Sequence, residues 1–412
     1  MFPSTVNKDK LGTLPTVIPD GLKFAAPKQG PPGTRNEFKL PPAASTYSTS
    51  SDNIVRFFFN NDNIIDFTRG GIAFDVTITA PGATYVRVEQ GIWSIFNRVR
   101  LTTGAELEDI REYGRIHASL FELYREPLVG GILGETYGFG TQAERNIWGA
   151  TPSKDYAMPL LCGLFLTGVL PMQIFTQRLQ LELYMEDPTK CIETDSPGPV
   201  SITLTNIYFH YEVLQLEASM TRSLLMAATG GVRYPYKTFV YYTLPVIAAT
   251  MDLLIPHSST GIEGFISFMV QNNNQNDMTA NNKKLIWLKN GCQQHQLRIN
   301  NAFYPLEPTQ AFEDPQSYLE MLRLVQKWLL GGVYKNPPVI SFTEYNTNRF
   351  AIVNQLETYP GEGLVNNLST AEGGNNVFLR LWLNAAPPVP TSLITYAIVS
   401  KTIDLVGTKL QQ

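Results

Sequence analysis

Alternating apolar and polar residues run through most of the chain and predict strands. The clearest case is segment 72–79, in which every second side chain is apolar: Ile72, Phe74, Val76 and Ile78. A period of two places successive side chains on opposite faces of a strand. The same alternation recurs at 179–185 and 377–383, and in 202–216 its phase slips near Asn206. Such a slip indicates a β-bulge.

Two segments change to helical spacing, one in each half of the chain. Segment 112–125 repeats apolar residues three or four positions apart. Segment 314–332 does the same, and it has Asp314 as the N-cap, Pro315 at the first helical position and a pair of glycines at its end. Caps of this kind begin and end helices. A third helical segment, 217–231, is predicted to connect the two halves.

The two halves repeat one order of strands, an interior helix and more strands. Residues 98–101 and 296–299 match in pattern 198 positions apart. About eight strands per half is typical of a jelly roll. The sequence therefore predicts an all-β protein of two tandem eight-stranded jelly rolls, each with a short interior helix. We place the first roll at 53–216, a linker at 217–235 and the second roll at 236–412.

Residues 1–52 differ from the rest because they contain eight prolines and no sustained periodicity. Proline restricts the backbone and removes a hydrogen-bond donor, so this segment is predicted to be an extended arm. Two alternatives remain open, a flexible tail and an arm that becomes ordered on neighbouring subunits.

Composition favours extensive protein contacts over nucleic-acid binding. Only 17% of residues are charged, below the usual quarter, and the net charge is −4. A negative chain neutralises few phosphates, so genome condensation is not expected. The three cysteines lie far apart without CxxC spacing, which predicts neither a zinc site nor disulfides and favours a reducing compartment. No signal peptide is expected from the first residues.

Segment 158–175, MPLLCGLFLTGVLPMQIF, is apolar enough to raise the question of a membrane span. Proline and glycine interrupt it four times. Such interruptions favour two short buried strands with a turn over one spanning helix.

No arrangement of residues predicts catalysis. The chain lacks a phosphate-binding GxxxxGK[ST] loop and has four histidines without HExxH spacing. Four carboxylates cluster at Glu106, Glu108, Asp109 and Glu112. Acid–base or metal chemistry is one interpretation, and acidic residues leading into a helix N-terminus is the preferred one. We therefore predict no catalytic residue, no cofactor and no metal site.

Residues Ile54 to Val406 resemble the double-jelly-roll major capsid proteins of tailless icosahedral DNA viruses, the lineage of adenovirus hexon and polinton-like viruses. Three segments carry the resemblance, namely IWSIFNRVRLTTGAELEDIREYGRI, MPLLCGLFLTGVLPMQIFTQRLQLELYME and ITLTNIYFHYEVLQL. The resemblance lies in the pattern and order of strands. A second roll of the same order follows.

The resemblance implies a structural protein of the virion shell that assembles inside the host cell as homotrimeric, pseudo-hexameric capsomers. Its implied partners are itself, neighbouring capsomers, penton proteins and minor capsid proteins, without sequence-specific nucleic-acid binding. Membrane contact through the arm is an open alternative. Two other functions remain as alternatives: a minor vertex or spike protein with the same fold, and a two-domain carbohydrate-binding protein.

A long loop of the first half, 127–157, supplies candidate contacts between subunits. The loop contains the aromatic residues Tyr137, Phe139 and Trp148, and a single roll is not expected to bury all three. We expect them to lie at the subunit interface, and packing over their own roll is the alternative.

Overall fold

The computed structural model describes residues 33–124, 136–139, 142–147, 153–175, 177–217, 219, 232–259, 261–281, 283–311, 315–328, 340–356, 376–406 and 409–411. Strands dominate these ranges, and every pairing between the named strands is antiparallel.

The first half contains thirteen strands in its described part, and their bounds follow. They are β1 (Gly33–Leu40), β2 (Tyr47–Ser48), β3 (Ile54–Phe58), β4 (Ile64–Thr79), β5 (Val86–Val88), β6 (Phe96–Thr103), β7 (Ala105–Arg111), β8 (Asn146–Ile147), β9 (Ser153–Pro159), β10 (Val169–Pro171), β11 (Gln180–Met185), β12 (Ile192–Thr194) and β13 (Ser201–Leu216).

Nine strands follow in the described part of the second half. They are β14 (Val232–Val246), β15 (Thr250–Ile255), β16 (Ile262–Gln271), β17 (Cys292–Ile299), β18 (Ala302–Gln310), β19 (Ala351–Gln355), β20 (Val377–Leu383), β21 (Thr391–Val406) and β22 (Lys409–Gln411).

The helices of the described residues are short. They are α1 (Tyr113–Tyr124), α2 (Gln142–Arg145), α3 (Gly163–Leu166), α4 (Pro188–Cys191), α5 (Asn272–Gln275), α6 (Gln316–Trp328) and α7 (Phe342–Thr347), with single 3₁₀ turns at Ile92–Ile95 and Met172–Ile174. None of these helices is long and apolar enough to cross a membrane.

Each half contains two main sheets with the same strand order, and the first half has an additional small sheet, β12-β5-β8. The first half has sheets β1-β13-β4-β10 and β3-β11-β6-β7, and the second has β14-β21-β16-β19 and β15-β20-β17-β18. The eight strands of one half thus correspond in sequence order to the eight of the other. In both, a longer helix (α1, α6) and a short one (α3, α7) lie between the fifth and sixth strands. The predicted pair of eight-stranded jelly rolls with interior helices is confirmed.

The predicted arm, 1–52, is too long. Residues 33–40 form strand β1, and the first roll needs this strand to reach eight. Strand β1 pairs with β13 along its whole length, from Gly33 opposite Leu216 to Leu40 opposite Phe209. Its side chains are almost all exposed, so it has no inward apolar set for a period of two to reveal. Backbone pairing forms this strand, and residues 1–32 are the part of the predicted arm outside the described ranges.

The linker predicted at 217–235 extends too far, because its last residues belong to a strand. Strand β14 begins at Val232 and pairs without interruption with β21, so the last four linker residues belong to the second roll. The predicted connector helix falls almost wholly on residues outside the described ranges.

Segment 158–175 does not form the two predicted strands with a turn. It contains the end of β9, helix α3, the short strand β10 and a 3₁₀ turn. The apolar residues Leu164, Phe165 and Leu170 are buried, which explains the composition without a membrane. Periodicity cannot separate a short buried helix from a short buried strand.

The predicted position of the acidic cluster is wrong for three of its four residues. The carboxylates at 106–109 lie on strand β7, and Glu112 alone leads into helix α1. The bulge near Asn206 is confirmed, since the register of β13 against β4 shifts between Thr205 and Tyr208 and Asn206 has a φ of 50°.

Candidate functional site at the interface of the two rolls

The two rolls meet where strand β7 of the first lies beside strand β14 of the second. The Tyr236 hydroxyl and the Lys401 ammonium both donate to the Leu107 carbonyl, each at 2.9 Å. At the same edge Gly163 approaches the Lys237 carbonyl so closely that a Cβ would lie 1.5 Å from its oxygen. Only glycine permits this approach of α3 to β14.

Glu108 stabilises that approach from inside the first roll. Its buried carboxylate accepts hydrogen bonds from the backbone amides of Gly163 at 2.9 Å and Leu164 at 2.7 Å, at the start of α3. Burial raises the pKa of Glu108, and the two backbone amides oppose that rise. Glu108, a member of the acidic cluster considered for acid–base chemistry, therefore holds the backbone at the start of α3 in place.

A second group of contacts joins helix α1, with Glu112 just before it and Glu186 just after β11, to residues 283–284 of the second roll. The Arg115 guanidinium, 1% exposed, donates to the carbonyls of Lys283 and Lys284, each at 3.2 Å. The Lys284 ammonium lies 3.0 Å from a Glu186 carboxylate oxygen and 3.5 Å from one of Glu112. Three charged side chains from one roll thus surround one from the other.

Burial and charge act in opposite directions on these groups. Desolvation favours neutral Lys284, but the carboxylates of Glu112 and Glu186 outweigh it, and the pKa of Lys284 is raised. Desolvation likewise opposes ionised Glu112, yet Lys284 and Arg115 hold its pKa below the ordinary value. Both shifts favour the ionised forms of Lys284 and Glu112, as is usual for charges that are paired away from water.

Lys283 points the other way, into the connection between β11 and β13 of the first roll. Its ammonium donates to the carbonyl oxygens of Thr189 at 2.6 Å and Ile192 at 3.1 Å. Burial lowers the pKa of Lys283, and the carboxylate of Glu89 opposes that effect. Backbone carbonyls of α4 and β12 are thereby fixed by a side chain of the second roll.

This interface can couple the two rolls mechanically. Among the described residues its carboxylates contact backbone amides, lysine or arginine. The buried histidines contact side chains of their own roll: His117 stacks on Trp93 at 4.3 Å between ring centroids, and His295 bonds Ser317. Within the described ranges no three side chains of His, Cys, Asp or Glu are grouped to hold a metal ion.

The three predicted contact residues have different positions. Phe139 is 1% exposed and packs on Trp93 and Phe121, so it fills the first roll's own core. Tyr137 is partly buried against the same rings and retains an exposed part. Trp148 lies outside the described residues. A role of these three residues between subunits stays a prediction.

Sequence reasoning did not identify the residues that join the rolls. Lys283 and Lys284 end an Asn-rich polar segment, which is typical of a solvent-exposed loop. Arg115 flanks the apolar stripe of α1, where a charged side chain ordinarily faces water. For Gly163 the sequence showed only that a glycine interrupts an apolar run. Its partner in the other roll, Lys237, is 74 residues away.

No protein-family model and no curated protein sequence matches the chain. Solved structures do match, at low identity and over nearly the whole length. The Faustovirus major capsid protein is 10% identical with a TM-score of 0.68, covering 97% of this chain and 94% of that one. VP54 of PBCV-1, fitted into a reconstruction of the virophage Sputnik, is 8% identical with a TM-score of 0.63 over 93% and 98%.

A structure of the Sputnik virophage is 14% identical, with a TM-score of 0.62 over 96% of this chain and 92% of that one. At these identities the likeness establishes the arrangement of strands. It extends across both rolls and their interface, because the coverage is nearly complete on either side. The chain therefore has the double-jelly-roll fold that these viral major capsid proteins share.

Proposed function

We propose that this chain is the major capsid protein of a tailless icosahedral DNA virus and acts as a structural protein rather than an enzyme. The observation that carries the proposal is the pair of equivalent eight-stranded rolls joined by a buried network of charges into one block. A shell needs tiles of fixed shape, and such a block supplies one.

Threefold closure of the block gives the required outline. Three subunits present six similar rolls, so a cyclic trimer approximates a hexagon. A low charged fraction of 17% suits large permanent contacts, which typically bury roughly 2,000 to 5,000 Å². The neighbours named above support the proposal, since one is the Faustovirus major capsid protein and another, VP54 of PBCV-1, was fitted into a reconstruction of the virophage Sputnik.

In this proposal the chain resides in the virion shell and its main partner is itself, first within the trimer and then between capsomers. Penton and minor capsid proteins would fill the fivefold positions and the gaps that flat tiles leave. The segment 1–32 is available for contacts with the inner face of the shell or with neighbouring subunits.

Native mass spectrometry of the purified full chain tests the proposal, with negative-stain electron microscopy as the second readout. We expect a trimer of three times 46.0 kDa at micromolar concentration and particles with a hexagonal outline. A stable monomer under these conditions would contradict the capsomer. Hydrolase or glycosidase activity that disappears on changing one carboxylate of β7 would contradict the non-enzymatic role.

A further inference from the structure

The elements that join the two rolls of one chain have equivalents on both rolls. The first roll holds the second through three elements: β7 and α3 pack against β14, and α1 reaches residues 283–284. In the proposed trimer six rolls form a ring, with three junctions within subunits and three between them.

The equivalent elements on the outer edges of the two rolls, away from the contact between the rolls, are exposed. In the second roll β18, α7 and α6 occupy the places of β7, α3 and α1, and in the first roll β1 occupies the place of β14. Strand β7 has three buried residues of seven and β18 has one of nine. Strand β14 has buried residues at Tyr236, Thr238 and Phe239, whereas β1 has none.

Large apolar side chains stand exposed on these same elements. Leu306 of β18 is 84% exposed, Leu319 of α6 is 44% and Phe342 of α7 is 37%. On the opposite edge, Phe38 of β1 is 40% exposed. Each of these four elements thus presents one large apolar side chain to solvent.

Leu306 is also held in a fixed position. The Gln296 side-chain amide donates to the carbonyls of Pro305 at 3.1 Å and Leu306 at 3.0 Å. The segment around Leu306 bulges from β18, since the register against β17 shifts between Tyr304 and Thr309. An ordered, outward apolar side chain loses little conformational freedom when it is buried by a partner.

We propose that the second-roll edge, formed by Leu306, Leu319 and Phe342, packs against the first-roll edge, strand β1 with Phe38, of a second copy of this chain. The contact is heterologous, and around a threefold axis its repetition closes three subunits into a ring. The inference rests on the proposed trimer and specifies its interface.

Leu306→Glu tests this contact, with Leu254→Glu as the matched control. Leu254 on β15 is 46% exposed. Strand β3 holds the same place in the first roll, and its Phe58 is also exposed, so the contact between the rolls does not cover this strand. Native mass spectrometry over a dilution series should show Leu306→Glu dissociating at a concentration at least about tenfold higher than the parent chain, since a buried leucine is replaced by a charge. Leu254→Glu should remain trimeric like the parent.

The outcomes separate the two proposals. A parent chain that is monomeric contradicts the proposed function itself. A trimeric parent with a trimeric Leu306→Glu variant, or with both variants dissociating alike, overturns the proposed interface and leaves the capsomer standing.

Cross-linking gives a second measurement, which does not depend on whether the fold tolerates glutamate at position 306. The native cysteines Cys162, Cys191 and Cys292 are buried, so introduced thiols would be the accessible ones. The double variant Phe38→Cys and Leu306→Cys should give covalent dimers and trimers with a short bismaleimide on a denaturing gel. Phe38→Cys with Leu254→Cys should not, and equal ladders from both pairs would overturn the interface.

Discussion

Single charged side chains, rather than apolar contacts alone, hold the two rolls together. Lys284, with a side chain 2% exposed, has one carboxylate of the other roll at 3.0 Å and a second at 3.5 Å. Replacing a buried ion pair entirely can be neutral, but removing one member leaves the other charge uncompensated. The structure therefore makes this lysine a point where the two rolls depend on each other.

Lys284→Met should lower the free energy of unfolding by about 3 to 5 kcal/mol, because Glu186 then remains buried without its lysine. Urea unfolding at neutral pH measures the change. The control is Arg111→Met, which removes a pair with Asp109 at 3.1 Å from a side chain that is 61% exposed. Exposed pairs contribute about 0 to 1 kcal/mol, and similar losses in both variants would contradict the buried network.

Buried neutral histidine predicts a loss of stability in acid. Burial lowers the pKa of His117 from 6.5 to about 3. Above pH 6.5 the folded and unfolded chains both hold it neutral; below that, the unfolded chain takes up a proton that the folded chain excludes. Its stabilising effect is therefore complete above pH 6.5 and is lost as pH falls toward 3, by about 1.4 kcal/mol per pH unit.

His117→Gln should reduce this acid dependence, because glutamine keeps a hydrogen-bonding group near the Tyr113 hydroxyl, 3.1 Å from the histidine Nδ1, and does not titrate. Unfolding free energies measured from pH 8 to pH 5 give the slope for each chain. The two curves should run parallel above pH 7 and diverge below 6.5, with the parent falling faster. Parallel curves throughout would show that His117 is protonated in the folded chain.

At the scale of elements, strand β1 completes the first roll although its own sequence is polar. Arg35 on β1 lies 2.7 Å from Glu212 and 3.1 Å from Asp66, whose side chains are 9% and 6% exposed. The strand therefore covers the edge of β13 and neutralises two nearly buried carboxylates. Without it, the unpaired edge of β13 would face water or another chain.

Truncation separates β1 from the residues before it. Deleting 1–32 removes no described element, and we expect soluble protein with unchanged thermal stability. Deleting 1–40 should give a lower melting temperature or insoluble protein, because β13 loses its partner and Glu212 and Asp66 lose Arg35. Differential scanning fluorimetry and soluble yield compare the two chains, and equal stability would contradict a structural role for β1.

At the scale of the whole molecule, the two rolls are expected to unfold together because their interface requires close backbone approach. Gly163→Ala would place a Cβ 1.5 Å from the Lys237 carbonyl oxygen, a distance at which helix α3 must move away from β14. We expect calorimetry to show one transition for the parent and a lower, broader or split transition for the variant.

Gly198→Ala is the control for this change. A Cβ at Gly198 would lie 3.6 Å from Pro81, an ordinary contact, and its backbone does not require glycine. We expect a transition like that of the parent. A Gly163→Ala variant with an unchanged transition would show that the rolls tolerate separation at this edge.

Local pattern determined much of this protein without the structure. Strands 72–79, 179–185, 202–216 and 377–383 were predictable because each has one face in a core, which imposes a period of two. Helices α1 and α6 were predictable from their spacing, and the repeated order of elements gave two rolls. The bulge at Asn206 was visible because an extra residue inverts the alternation.

Only the tertiary structure decided the rest. Strand β1 has no buried face, so nothing in its sequence distinguishes it from an extended arm; its pairing with β13 makes it a strand. In segment 158–175 the consecutive residues 162–165 are all buried, so the apolar run gives no period to separate α3 from a strand. Lys284 resembles any loop lysine until Glu112 and Glu186, at least 98 residues away, are placed around it. Periodicity records which side of one element is buried, whereas the contact between rolls depends on residues that meet only after both have folded.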